Sequence, residues 1–340
     1  SQLPLSLLEP VVGPLPYTGT MDGEIAGPAE ALAFDVTAQL APAAGGQAFT
    51  AGLTGRLALG PAGARLRALE ADLQQVPLAA LRAVAPGLPV EGLVTGRVTL
   101  AGSPGSVPLG LDIRLEVGAG TALMQGTLDL TGAVPRYDLT GRLVRVSLPA
   151  VLQPEVPPLF LTADYAVAGT GTDSRTATLH LSLSGTFSGW LAGPGDALQL
   201  QATLEGGLLA LETLEAEAGP VQLVARGTWA TGPVPAAGIR YTLAIADLES
   251  VAPYIRFLPP GIAGALRTSG EMAGTSDAPA FDGTLTAQDV TLAGWSVATI
   301  AAEYEYAATA PVPLLIVQAS GGPVVTPGAG AYESAVLDLR

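Results

Sequence analysis

Few side chains in this sequence could do chemistry. The single histidine, His180, stands between Leu179 and Leu181 in an alternating stretch, on its polar side. A Ser-His-Asp hydrolase would need that histidine beside a serine on a strained turn, and no G-x-S-x-G elbow occurs. Cysteine is absent, which excludes disulfides, thiolate metal sites and thiol nucleophiles. A metal would therefore rest on carboxylates. The densest group, Glu212, Glu215 and Glu217, lacks the alternation of acid and glycine that shapes a calcium loop. All 15 basic residues are arginine, so no phosphate-binding G-x-x-x-x-G-K-[ST] loop exists. A bare G-x-G at Gly118 and Gly120, or at Gly169 and Gly171, is expected by chance among 43 glycines. Hydrolysis by a carboxylate pair stays open on sequence alone. Against it, the only tryptophans available as sugar platforms are Trp190, Trp229 and Trp295. The reading is of a protein that is not an enzyme, with no catalytic residue, metal or cofactor.

What positions those residues follows from composition and pattern. Thirty acids against 15 bases leave a net charge of -15, which argues against nucleic acid and against electrostatic docking on an anionic membrane. The 43 glycines and 29 prolines rule out a mainly helical bundle. At 49% hydrophobic the chain is not disordered, yet aromatics are only 5%, so its apolar surface is leucine, valine and alanine. No apolar run approaches the roughly 18 residues of a membrane helix; the best, Pro311 to Val317, is short and carries prolines. Ser1-Gln2-Leu3-Pro4 does not open a signal peptide, and the chain is expected to be part of something longer.

Strict alternation of apolar and polar residues, the mark of a half-buried strand, recurs throughout. Leu32, Phe34, Val36, Ala38 and Leu40 alternate with Ala33, Asp35, Thr37 and Gln39. Leu109, Leu111, Ile113, Leu115 and Val117 do the same, as do Leu179, Leu181 and Leu183, then Leu198, Leu200 and Leu204, then Tyr241, Leu243 and Ile245. One face is apolar and the other polar. Parallel sheets bury both faces, so the pattern predicts an all-β architecture, an antiparallel sheet or a solenoid, of about 25 strands at the spacing of turn-punctuated β chains.

A second feature interrupts the alternation. Short segments with helically spaced apolar residues and flanking prolines begin near Leu3, Val76, Val146 and Asp247. They predict short helices over 5–12, 77–85, 148–153 and 248–258. One elongated repeat domain results, with units of approximately 1–75, 76–145, 146–246 and 247–340.

Two of the strands that follow these segments carry a likeness. Ile262 to Thr286 contains Gly264, Leu266, Gly270, Gly274-Thr275, Pro279, Gly283 and Leu285 at the spacing G-x-L-x-x-x-G-x-x-x-G-T-x-x-x-P-x-x-x-G-x-L. Gly92 to Gly105 is a looser copy. This repeat resembles that of the TamB/AsmA superfamily. The resemblance implies a long curled antiparallel sheet, a β-taco or gutter, with a few short helices between repeat units. It implies that the leucine, isoleucine, valine and phenylalanine residues of the alternating stretches named above line a groove for phospholipid acyl chains between the inner and outer membranes of a bacterial envelope. It also implies a periplasmic place, an anchoring segment outside this chain, and an outer-membrane barrel or other envelope proteins as partners. The competing class is a non-catalytic structural or adhesive β-repeat protein of the cell surface, whose two walls close on a dry core.

Overall fold

The computed structural model describes residues 3–4, 17–42, 48–60, 63–77, 93–102, 108–117, 119–147, 159–173, 175–189, 196–230, 238–254, 258–275, 278–307, 314–322, 324–326, 330–332 and 335–339. Among the described residues strand makes up 81% and helix is almost absent. The chain forms two compact units, Ser1–Thr170 and Gly171–Arg340.

The first unit holds β1 (Leu3–Pro4), β2 (Tyr17–Ala26), β3 (Leu32–Pro42), β4 (Phe49–Gly60), β5 (Gly63–Pro77), β6 (Leu93–Ala101), β7 (Leu109–Val117), β8 (Gly120–Asp129), β9 (Arg136–Ser147) and β10 (Leu159–Thr170). Each strand pairs antiparallel with the next. The second unit holds β11 (Thr178–Gly189), β12 (Leu198–Glu205), β13 (Leu208–Ala218), β14 (Val221–Ala230), β15 (Gly238–Ile245), β16 (Ala263–Thr275), β17 (Ala278–Leu292), β18 (Trp295–Ala307), β19 (Leu314–Gly321), β20 (Val324–Thr326), β21 (Gly330–Tyr332) and β22 (Ala335–Leu339). Here too β11 to β19 pair in chain order, while β22 adds to β19, β20 to the start of β18, and β21 to β20. The architecture is therefore all-β and antiparallel, one of the two arrangements that the alternation allows, and the sheet is not closed. The described residues hold 22 strands, some of them long: β5 and β17 each run 15 residues.

Alternation becomes burial. Along Ala33 to Gln39 the odd-numbered residues are exposed and the even-numbered ones are half-buried or buried. In β7 the apolar positions turn inward, and Asp112, Arg114 and Glu116 face solvent.

The alternation slips where the apolar stride lengthens from two residues to three. Leu73 is followed by Val76, Leu143 by Val146, Ala287 by Val290 and Leu211 by Leu214. The register shifts at each of these places. A bulge absorbs one extra residue, so the next apolar side chain returns to the same face. In three cases the residue before the returning valine takes a left-handed conformation: Gln75 and Arg145 at φ 51, and Asp289 at φ 51. The backbone N–H that the bulge takes out of the ladder still needs a partner. Gln75 N–H donates to Thr95 Oγ1 at 3.2 Å, and Arg145 N–H to Thr162 Oγ1 at 3.1 Å. In both cases a threonine on the neighbouring strand restores what the ladder lost.

One of the expected helices, that at 248–258, lies within the described residues except for 255–257. Helix α1 spans Leu248–Val251 and passes into a 3-10 turn over Ala252–Tyr254. Asp247 caps it, its carboxylate accepting from the Glu249 N–H at 3.1 Å. Pro253 has no N–H to continue the α ladder, which accounts for the early change of pitch. The expected helices at 5–12 and 148–153 lie outside the described residues, as does that at 77–85 except for Pro77, which ends β5.

Candidate functional site

The cross-strand register joins the alternating strands into continuous rows on one face. In the first unit Val36 lies opposite Leu53, Leu53 opposite Ala71, Ala71 opposite Val98, Val98 opposite Ile113, and Ile113 opposite Met124. Beside it runs a row from Phe34 through Gly55, Leu69, Leu100 and Leu111 to Gly126 and Leu139. The residues that sequence reasoning assigned to a groove therefore sit as follows. Leu32, Phe34, Val36 and Leu40 lie on β3, and Leu109, Leu111, Ile113, Leu115 and Val117 on β7, with β4, β5 and β6 completing the rows between them. In the second unit β11 and β12 bring their assigned residues directly together, Leu179 opposite Leu204 and Leu183 opposite Leu200. Leu181 meets Ala202, and Leu198 meets Gly185 and Ala216. Leu243 and Ile245 pair with Leu223 and Val221 on β14.

Burial along these rows is uneven. Val94, Val117 and Val146 form a buried cluster at one end of the first unit's strands, with Leu115, Ala122 and Leu143 against it. The row members between, Val36, Leu53, Val98 and Ile113 among them, are only half-buried. A core residue under a packed second layer would be closed off more fully.

The opposite face is polar. Exposed Arg97 pairs with the half-buried Glu70 and Asp72, each at 3.0 Å. These carboxylates raise the Arg97 pKa further, the Asp72 hydrogen bond most of all. His180 is exposed, across from Thr203, and Glu212, Glu215 and Glu217 are exposed as well. Among the described residues no group of acids or histidine is placed to hold a metal ion. No helix among the described residues is long and apolar enough to cross a membrane.

Tyrosines bring polar atoms onto the apolar face, and glycines make room for them. Tyr165 lies over Gly141, where a Cβ would collide with the ring and with the Leu123 carbonyl; the phenol donates to that carbonyl at 3.0 Å. In the second unit Tyr241 on β15 and Tyr304 on β18 reach toward each other over Gly270 and Gly283, which are opposite one another on β16 and β17. Their hydroxyls meet, and Tyr304 OH also lies 2.8 Å from Thr268 Oγ1. Thr268 Oγ1 in turn donates to the Thr284 carbonyl at 2.9 Å. Burial pushes the Tyr165 phenol up, and burial followed by the Tyr304 hydrogen bond pushes Tyr241 up further. Sequence reasoning placed Tyr241 in an apolar row but did not foresee this chain of hydroxyls. The one sequence signal was tyrosine at row positions next to strands with glycine in the same row.

Comparison with known proteins leaves this geometry without a counterpart: no family description, curated protein or solved structure matches the chain.

Proposed function

We propose that the chain carries the acyl chains of phospholipids along the apolar face of its sheets, in the envelope between two bacterial membranes, as the TamB/AsmA-like proteins that its repeat resembles do. The observation that carries this reading is the row from Val36 to Met124, apolar from strand to strand yet only half-buried. Apolar area left partly in water is a standing driving force of roughly 25 cal/mol per Å². An acyl chain laid along the row would remove it. Leucine, valine and alanine offer such a chain no directional contact, so it could slide. Under this reading the protein works in the periplasm in outer-membrane biogenesis, with phospholipid as cargo and an outer-membrane barrel or other envelope protein as partner.

Photocrosslinking tests this at neighbouring positions of β7. A photoreactive residue in place of Ile113 should capture phospholipid in cells, and one in place of exposed Arg114 should not. Capture at position 113 of protein from another wall alone would replace the carrier with the structural reading, a sheet closed on a dry core.

A further inference from the structure

The hydroxyl chain of the second unit has a direction, and a backbone carbonyl sets it. The Thr284 carbonyl can only accept, so Thr268 Oγ1 spends its proton there. Thr268 must then accept from Tyr304, whose single proton is used in turn. Tyr304 can therefore only accept from Tyr241, and the Tyr241 proton is committed as well. At the open end stands the half-buried Tyr241 oxygen, with lone pairs and no proton to offer. Burial keeps the phenol neutral. The row around it is apolar: Ala225 on one side, Gly270 on the other, with Leu223 and Leu243 alongside.

Resting on the carrier reading above, we propose that Tyr241 is a specificity-determining hydrogen-bond acceptor that receives the hydroxyl of an uncharged acyl ligand and turns away carboxylate and phosphate. An anion there would find lone pairs in place of donors, inside an apolar row where an unpaired charge is strongly disfavoured. An ammonium could donate, but Asp282, the carboxylate whose charge reaches Tyr241, is exposed beside Gly283 on the polar face and not in the row. A neutral hydroxyl satisfies the oxygen at no such cost.

The test uses the full chain with a photoreactive residue in place of Leu223, the row neighbour of Leu243, and three labelled probes: dodecanol, dodecyl methyl ether and dodecanoate. Capture is followed against probe concentration. Dodecanol should be captured at about fivefold lower concentration than the ether, the factor one net hydrogen bond supplies, and dodecanoate worst of all. Tyr241→Phe should abolish the preference for alcohol while leaving ether capture unchanged. Thr268→Val removes the anchor of the chain and lets the protons turn round, so that Tyr241 can donate outward. In that variant the ether and dodecanoate should gain on the alcohol. Equal capture of alcohol and ether by the parent chain, or a preference that survives Tyr241→Phe, overturns this inference and leaves the carrier reading standing. Capture of none of the three probes overturns both.

Discussion

Two stretches of the second unit use the same kind of side chain and reach different ends. Around α1, Leu248 and Val251 are each 1% exposed. They pack with buried Ile245, and Val221, Leu243, Leu258, Ile262 and Leu266 close around them. Farther along, Leu183, Leu200 and Leu214 stand opposite one another on β11, β12 and β13, and all three are half-buried. A sheet gives each leucine neighbours at its sides but none above. Where the chain folds back over the face, as α1 does, the shell around Leu248 and Val251 is complete. The sheet as a whole is held by its hydrogen-bond ladders and lateral contacts, and full burial is local.

That contrast can be broken most forcefully at α1. Leu248→Ala should cost about 2–5 kcal/mol, the range for emptying a closed core site, read as a drop in the urea midpoint. A loss below 1 kcal/mol would mean that α1 is not a true second layer. Gly283→Val should come next. Its Cβ would strike the Tyr304 ring and the Ser269 carbonyl, so strain of about 1–3 kcal/mol is expected, with a changed near-UV tyrosine signal as the rings are displaced. Leu200→Ala sharpens the comparison from the other side. With its outer side already open it should lose only about 1 kcal/mol, in keeping with partial burial. A loss equal to that of Leu248→Ala would show that something does cover the row. Arg97→Ala should have the smallest effect. Arg97 is exposed and its carboxylate partners are partly exposed, a setting in which such pairs contribute little, so the urea midpoint should hardly move, and a clear drop would reveal a role beyond those pairs.

Much of the fold was legible because period-two patterning is a direct imprint of the pleat. The strands with unbroken alternation, β3, β7, β11 and β12, were readable almost residue by residue. Strands whose stride slips were harder. In β5 and β9 the slip at Val76 and Val146 marks a bulge, and the signal lies in the apolar spacing although no glycine announces it. Gln75 and Arg145 take φ 51 without being glycine, because the paired valine and the threonine of the adjacent strand hold them there. The hydroxyl chain was not read from the sequence, where its one trace was tyrosine and glycine at row positions. It joins residues from β15, β16 and β18, and nothing local to Tyr241 says that Tyr304, 63 positions away, will meet it.

The order of pairing has a kinetic consequence. Within each unit every meander strand finds its partner in the strand before it, so no step waits for a distant segment. Loop-closure cost stays small at every addition, and topologies rich in such local contacts fold fast for β proteins. A chain emerging from the ribosome could add one strand at a time onto an edge already formed. The hazard moves to that growing edge, whose unpaired N–H and C=O groups would accept a strand from another molecule as readily as the next one from its own. Slowing synthesis between two strands should therefore raise aggregation more than it slows folding.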